Sequence, residues 1–335
     1  MMASKVYGSA YTFASINKND TPTYLDVESV LSRLVKLIEF FNTSKKNSIL
    51  FSTDYADVEC GDQNLEFHLF DITEDPQATT YYLSEIEKII GARKAYIDTG
   101  AMIACILENS LQNLPLEYAL RIEKYWLGLD HNIHIVDYSD VCNLNSINFR
   151  NGVTTRKNFT EKANCVYEHI QFHSIFEEKL KTVKRGTFTD YLSEFSHALN
   201  TLNQAYFLIS NDENKNEEDL LCISELSALE ALQGRKLSCT RQGANKPRFE
   251  FDDLNNPEQI LNQHGVQEVV YPKEELNCEY HLKINFNDQG IKLHDDYIRA
   301  YFALKYCDKM KRKYIKLAYI GEHWPPNEKG KKRRA

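Results

Sequence analysis

The chain has 335 residues, 42% hydrophobic and 26% charged, the balance of an ordinary globular protein with length enough for two cored domains. No apolar run reaches the roughly 18 residues of a membrane helix, and the N-terminus (MMASKVYGSAYTF) has one Lys and no apolar core, so neither a membrane span nor a signal peptide is expected. Eight scattered Cys (60, 105, 142, 165, 222, 239, 278 and 307) form no CxxC pair, which predicts reduced thiols in a cytoplasmic protein.

The net charge of −8 is unevenly spread. Residues 270–335 carry 15 Lys/Arg against 9 Asp/Glu, whereas residues 1–269 carry 25 against 39. An acidic body with a basic end suits a polyanion at that end. Five of those positive charges lie in the tail Lys329, Lys331, Lys332, Arg333 and Arg334, which reads equally well as a solvated terminus.

In chain order, residues 5–13 read as a first strand. Asp26 can cap a helix whose apolar residues Val27, Val30, Leu31, Leu34, Leu37, Ile38 and Phe41 keep helical spacing. Residues 48–53 and 65–71 read as strands flanking a turn at Gly61 and Asp62, and residues 79–90 as a helix closed by Gly91. A short strand at 95–98, helices at 101–111 and 115–127 and a strand at 132–136 follow. This alternation predicts a layered α/β domain. The polar, Asn-rich stretch 143–161 marks the boundary, giving domains 1–145 and 146–335. Beyond it, a strand at 165–172 precedes helices at 174–183, 187–209 and 221–232, the last closed by Gly234. From Leu237 onward the pattern is of strands. The predicted class is α+β: an N-terminal mixed α/β domain, central helices and a basic, β-rich C-terminal unit.

Several motifs suggest chemistry. Asp98-Thr99-Gly100-Ala101 resembles the signature of retroviral-type aspartic proteases, but its helical surroundings favour Asp98 or Thr99 as a helix cap. Asp54, Asp57, Asp71, Asp98 and Asp137 each follow a strand-like run, a pattern similar to metal-dependent nucleases of the PIN type. There is no phosphate loop, dinucleotide fingerprint or GxSxG elbow. His131 and His134, like His169 and His173, read as structural or surface residues; on a strand, the latter pair would lie about 13 Å apart. Cys278, His281, Cys307 and His323 offer zinc-type ligands without a matching second half-spacing.

The strongest pattern lies in the last quarter, in 277–284 (NCEYHLKI), 297–304 (YIRAYFAL) and 314–324 (YIKLAYIGEHW), where apolar residues alternate with His, Lys, Arg and Tyr. Alternation places His281 with Lys283, and Arg299 with Tyr301, on one face, and His323 follows the turn-permitting Gly321. Metal-free RNA cleavage needs such groups: a base for the 2′-OH, an acid for the leaving oxygen and cations for the phosphorane charge. Arg235, Lys236, Arg241, Lys246 and Arg248, with no acid between Gly234 and Arg248, are candidate phosphate contacts. A half-exposed sheet with a merely polar face would give the same pattern.

These three runs resemble the compact sheet of bacterial endoribonuclease toxins, and also C-terminal blocks of anti-phage or toxin-type bacterial proteins. The resemblance implies His281 or His323 as base or acid, Lys283 and Arg299 as phosphate clamps, and Tyr301 as an orienting hydroxyl. A restriction-type nuclease core is a rival, using Glu230, Asp252 or Asp253 and His281-x-Lys283, with magnesium on the carboxylates; His281 stands where that family has an acid. The expectation is a prokaryotic defence or toxin-type effector acting on nucleic acid, most simply RNA, with no metal, no cofactor and no membrane contact. A protein partner or a second copy is left open. The alternative is a non-catalytic recognition or scaffold protein.

Overall fold

The computed structural model describes residues 4–13, 24–44, 47–59, 63–110, 117–121, 125–183, 186–229, 236–243, 246–261, 267–293 and 298–324. The chain is an α+β protein. It divides after Asn151 into two compact units, a few residues beyond the expected boundary. Among the described residues, no helix is long and apolar enough to cross a membrane.

In the first unit, β1 (Lys5–Gly8), β2 (Ser48–Phe51), β3 (Glu117–Leu120) and β4 (His134–Ile135) form a parallel sheet in the order β2-β1-β3-β4. Helices α1 (Ala10–Phe13), α2 (Tyr24–Thr43), α3 (Leu65–Thr73), α4 (Pro76–Ile90), α5 (Thr99–Ser110) and α6 (Tyr138–Arg150) make up the rest. The apolar stripe of α2 is buried as expected, at Val27, Val30, Leu34, Leu37, Ile38 and Phe41.

Three sequence expectations are corrected here. The first strand stops at Gly8, where a Cβ would run into the fully buried Phe51 ring, and the chain turns at once into α1. Residues 65–71 are helical, not extended: Asn64 Oδ1 accepts the Phe67 amide at 3.1 Å, and Leu65, Leu69 and Ile72 are buried on one helical face. Both periods fit that apolar run, and the cap decides between them. The region read as a helix at 115–127 contains β3, a strand buried between two parallel neighbours, so its continuous apolar residues carry no alternation. The division after Asn151 falls within the polar stretch 143–161, much of which is helical, and Asn145 inside α6 shares a hydrogen bond with the Ser4 hydroxyl.

The second unit is built on α9 (Leu192–Leu208). It follows α7 (Arg156–Val166), β5 (Ile170–Phe172) and α8 (Phe176–Lys179), and precedes α10 (Asn216–Leu229). The remaining strands are β6 (Ser238–Arg241), β7 (Arg248–Asp252), β8 (Glu258–Leu261), β9 (Gln267–Val270), β10 (Lys273–Asn277), β11 (Tyr280–Ile284), β12 (Ile298–Cys307) and β13 (Arg312–Gly321). They form a five-stranded sheet in the order β5-β13-β12-β11-β6, a β10-β7 ribbon and a β8-β9 hairpin. The strand expected over 165–172 is confined to β5, because α7 runs through Val166.

Every residue of α9 from Glu194 to Tyr206 is buried, so its polar side chains must find partners inside. Ser196 bonds the Tyr167 hydroxyl (2.9 Å), Asn203 accepts the His169 amide (3.1 Å) and the His197 ring meets the Ser227 carbonyl (3.0 Å). The Asp288 carboxylate, from the connection between β11 and β12, accepts the Ser193 and Glu194 amides at the start of the helix. A second buried polar element joins β13 to α10. Lys313 Nζ lies 2.6 Å from Asp219 Oδ2, both side chains almost fully buried, and Asp219 also accepts the Ser210 amide. Removing one partner of such a pair strands a charge. Lys313→Met is therefore expected to cost about 3–5 kcal/mol in urea unfolding, with part of the loss recovered when Asp219→Leu is added; a single variant within about 1 kcal/mol of the parent would show the pair to be unimportant.

Candidate functional site

Strand register decides which side chains share a face, because side chains alternate with a period of two. β11 and β12 are antiparallel, with His281 opposite Tyr301 and Lys283 opposite Arg299. On the other side of β12, Tyr301 lies opposite Tyr319 and Arg299 opposite Gly321. His281, Lys283, Arg299 and Tyr301 therefore occupy one face, the face opposite the residues Leu282, Ala300 and Phe302. His323 lies two residues beyond Gly321 and close enough for its charge to act on His281. The structure thus brings together all five side chains singled out in the sequence.

That face is only partly open. The β10-β7 ribbon contributes Phe249, Phe251 and Leu276 to a core cluster with Tyr301, Ala303, Ala318 and Tyr319, joined by Trp324. Tyr301 is fully buried and His281 is 3% exposed, while Lys283, Arg299 and His323 are half-buried. The Tyr301 hydroxyl accepts the Trp324 amide at 3.0 Å and the Arg299 Nη1 at 3.4 Å, which ties the guanidinium to the strand. Among the described residues, neither Lys283 nor Arg299 makes an ion pair, and the Arg299 Nε is buried without a hydrogen-bond partner.

His281 has one ring nitrogen committed: Nε2 shares a hydrogen bond of 3.0 Å with the Thr240 hydroxyl of β6, while Nδ1 has no hydrogen-bond partner among the described residues. Burial, followed by the charges of Arg299, Lys283 and His323, pushes its pKa down to about 3. The ring is thus neutral at neutral pH, a hydrogen-bonding group that acquires a proton only with difficulty. Thr240 was not visible as a site residue in the sequence, since SCTR is too short to reveal which strand it pairs with.

The expected phosphate-contact loop is largely occupied by its own ion pairs. Arg241 lies 3.0 Å from Glu279 and 3.6 Å from Glu217, Lys246 pairs with Glu279, and Arg248 lies 3.2 Å from Glu275. Burial raises the Glu279 carboxyl, but Lys246 and Arg241 outweigh it and hold that group below the usual carboxylate range. Lys236 is exposed, and Arg235 lies outside the described residues.

The rival constellations do not assemble among the described residues, where no group of three or more His, Cys, Asp or Glu side chains could hold a metal ion. Cys278 and Cys307 are core residues. Asp252 pairs with Lys273, and Asp253 caps the turn at Asn255 and Asn256. Asp98 accepts the Ala101 amide at 2.8 Å at the start of α5, as the helix-cap reading expects. Asp71 lies exposed on α3, and Glu230 falls outside the described residues. No family model, curated protein or solved structure matches the chain.

A histidine kept neutral by the fold links stability to pH. The folded His281 holds its proton far less well than an unfolded histidine, whose pKa is about 6.5. Its contribution is present above that value and is lost as pH falls toward the folded pKa of about 3. His169, also pushed down to about 3 by burial and then by Arg312, acts in the same sense. Unfolding free energies measured between pH 7 and 4 should therefore fall, and His281→Gln should make that fall shallower. An unchanged slope would show that the ring is not held neutral.

Proposed function

We propose that the C-terminal unit binds the phosphodiester backbone of RNA at the Lys283–Arg299 end of its sheet and cleaves it by metal-free acid–base chemistry. The observation that supports this best is the pairing of Lys283 with Arg299 directly across two strands, beside His281 and His323, with no carboxylate ion-paired to either cation among the described residues. In this reading Lys283 and Arg299 hold the phosphate and oppose the charge that builds up in the transition state. Tyr301 fixes the guanidinium through its hydroxyl. His323, half-buried and just past the last strand, takes the 2′-OH proton as the 2′-oxygen attacks phosphorus and returns it to the leaving 5′-oxygen, and His281 orients the substrate as a neutral ring. A wider role as a toxin-type or defence effector rests on the resemblance of the three strands to bacterial endoribonuclease toxins.

A second reading, RNA binding without cleavage, is favoured by one observation: the two most buried members, His281 and Tyr301, already spend polar atoms on Thr240 and Trp324. One experiment separates them. The full chain is incubated with a single-stranded RNA and its DNA equivalent in the presence of EDTA, and both cleavage and affinity are recorded. The proposal predicts RNA cleavage in EDTA, lost by about 100-fold or more in Lys283→Ala and Arg299→Ala, with each variant lowering the salt slope of binding by about one. Binding that is weakened in the variants, without cleavage by the parent, would establish the second reading. Full activity in both variants would remove the site, and a strict need for magnesium would favour a restriction-type mechanism.

A further inference from the structure

A separate cleft of ≈ 370 Å³ lies in the second unit, lined by α7, β5 with the residues that follow it, β7 and the start of β10. Its hydrogen-bonding inventory is lopsided. The buried Thr160 Oγ1 and Gln171 Oε1 have no partner among the described residues. The Glu177 and Glu250 carboxylates, both exposed toward solvent, have no ion-pair partner among them either. The one lining lysine, Lys273, is already engaged by Asp252 at 2.5 Å. The uncommitted charge is therefore negative, on Glu177 and Glu250, beside an open Gln171 carbonyl acceptor and a Thr160 hydroxyl that can accept as well as donate, so a well-matched occupant brings positive charge and donors.

We propose that this cleft is a binding site for a small organic cation, an alkylammonium or guanidinium compound. The half-buried Phe172 side chain that lines it adds an aromatic ring of the kind that attracts such cations. The volume sits near the lower end of small-molecule sites and is far above the roughly 30 Å³ share of a single water, so an organic cation fits where a bare ion would leave most of the space unfilled. The binding chemistry is opposite in sign to that of the Lys283–Arg299 site and does not depend on it.

Calorimetric titration of the full chain with putrescine, agmatine and the neutral isostere 1,4-butanediol tests the assignment. Both cations are expected to bind at one site per chain and the diol not to bind. Glu250→Gln should weaken the cations about tenfold with an unchanged melting temperature, since one charge-assisted contact is lost. Glu258→Gln, which removes a carboxylate that does not line the cleft, should leave the affinity as it is. Equal binding of the diol, no binding of either cation, or an unaltered affinity in Glu250→Gln would overturn the proposal. Equal weakening by Glu258→Gln would do so too, by showing a general attraction to an acidic chain.

Discussion

The second unit depends on burying α9 on every side. An ordinary surface helix solves its solvation by turning polar residues outward; α9 has no outward face from Glu194 to Tyr206 and must pair its polar groups internally. Those pairings fix its neighbours. Tyr167 and His169 anchor the approach to β5, Ser227 anchors α10, and Asp288 anchors the connection between β11 and β12. The helix also packs on β11 and β13, so one face of the five-stranded sheet is committed to it. A slip of one residue in β11 would exchange Leu282 for Lys283 on that face. The hydrophobic demand of the helix thus indirectly sets the side on which Lys283, Arg299 and His281 stand.

The opposite face is shared between two uses. Where the β10-β7 ribbon covers it, Tyr301, Tyr319 and Phe251 make a core; beyond the ribbon, Lys283, Arg299 and His323 meet solvent. His281 sits at the junction, and its suppressed basicity is the consequence. It is dry enough to lose its hydration, and it is surrounded by positive charge that a proton would have to join. The same concentration of positive charge is what an anionic ligand would relieve. This couples the low basicity of His281 to ligand binding, since a bound phosphate would ease protonation of the ring.

How much was legible in the sequence follows from where local patterns met tertiary ones. The C-terminal strands were readable because His281, Lys283, Arg299 and Tyr301 alternate with aliphatic residues, and period-two alternation survives only in a half-buried sheet. The helix α2 was readable for the matching reason at period 3.6. β3 was not, because a strand buried on both faces has no alternation to show, and α3 was not, because LEFHLFD satisfies both periods and only the Asn64 cap distinguishes them. The five-residue constellation was legible as a face, but its degree of enclosure was not. The ribbon carrying Phe249 and Phe251 arrives from 30 and more residues earlier in the chain, and nothing local indicates where it packs. For the same reason the partners of Arg241, Lys246 and Arg248 were invisible: Glu279, Glu217 and Glu275 are distant in sequence, and the basic loop looked unopposed.

The central claim is that the exposed end of the β11–β12 face contacts a phosphodiester chain. Hydrogen–deuterium exchange of the full chain, with and without a single-stranded RNA, tests it most directly. The account predicts slowed exchange in peptides covering 280–284 and 298–301 when RNA is present, with the buried α9 unchanged. Protection confined to other segments, or none at saturating RNA, would contradict it.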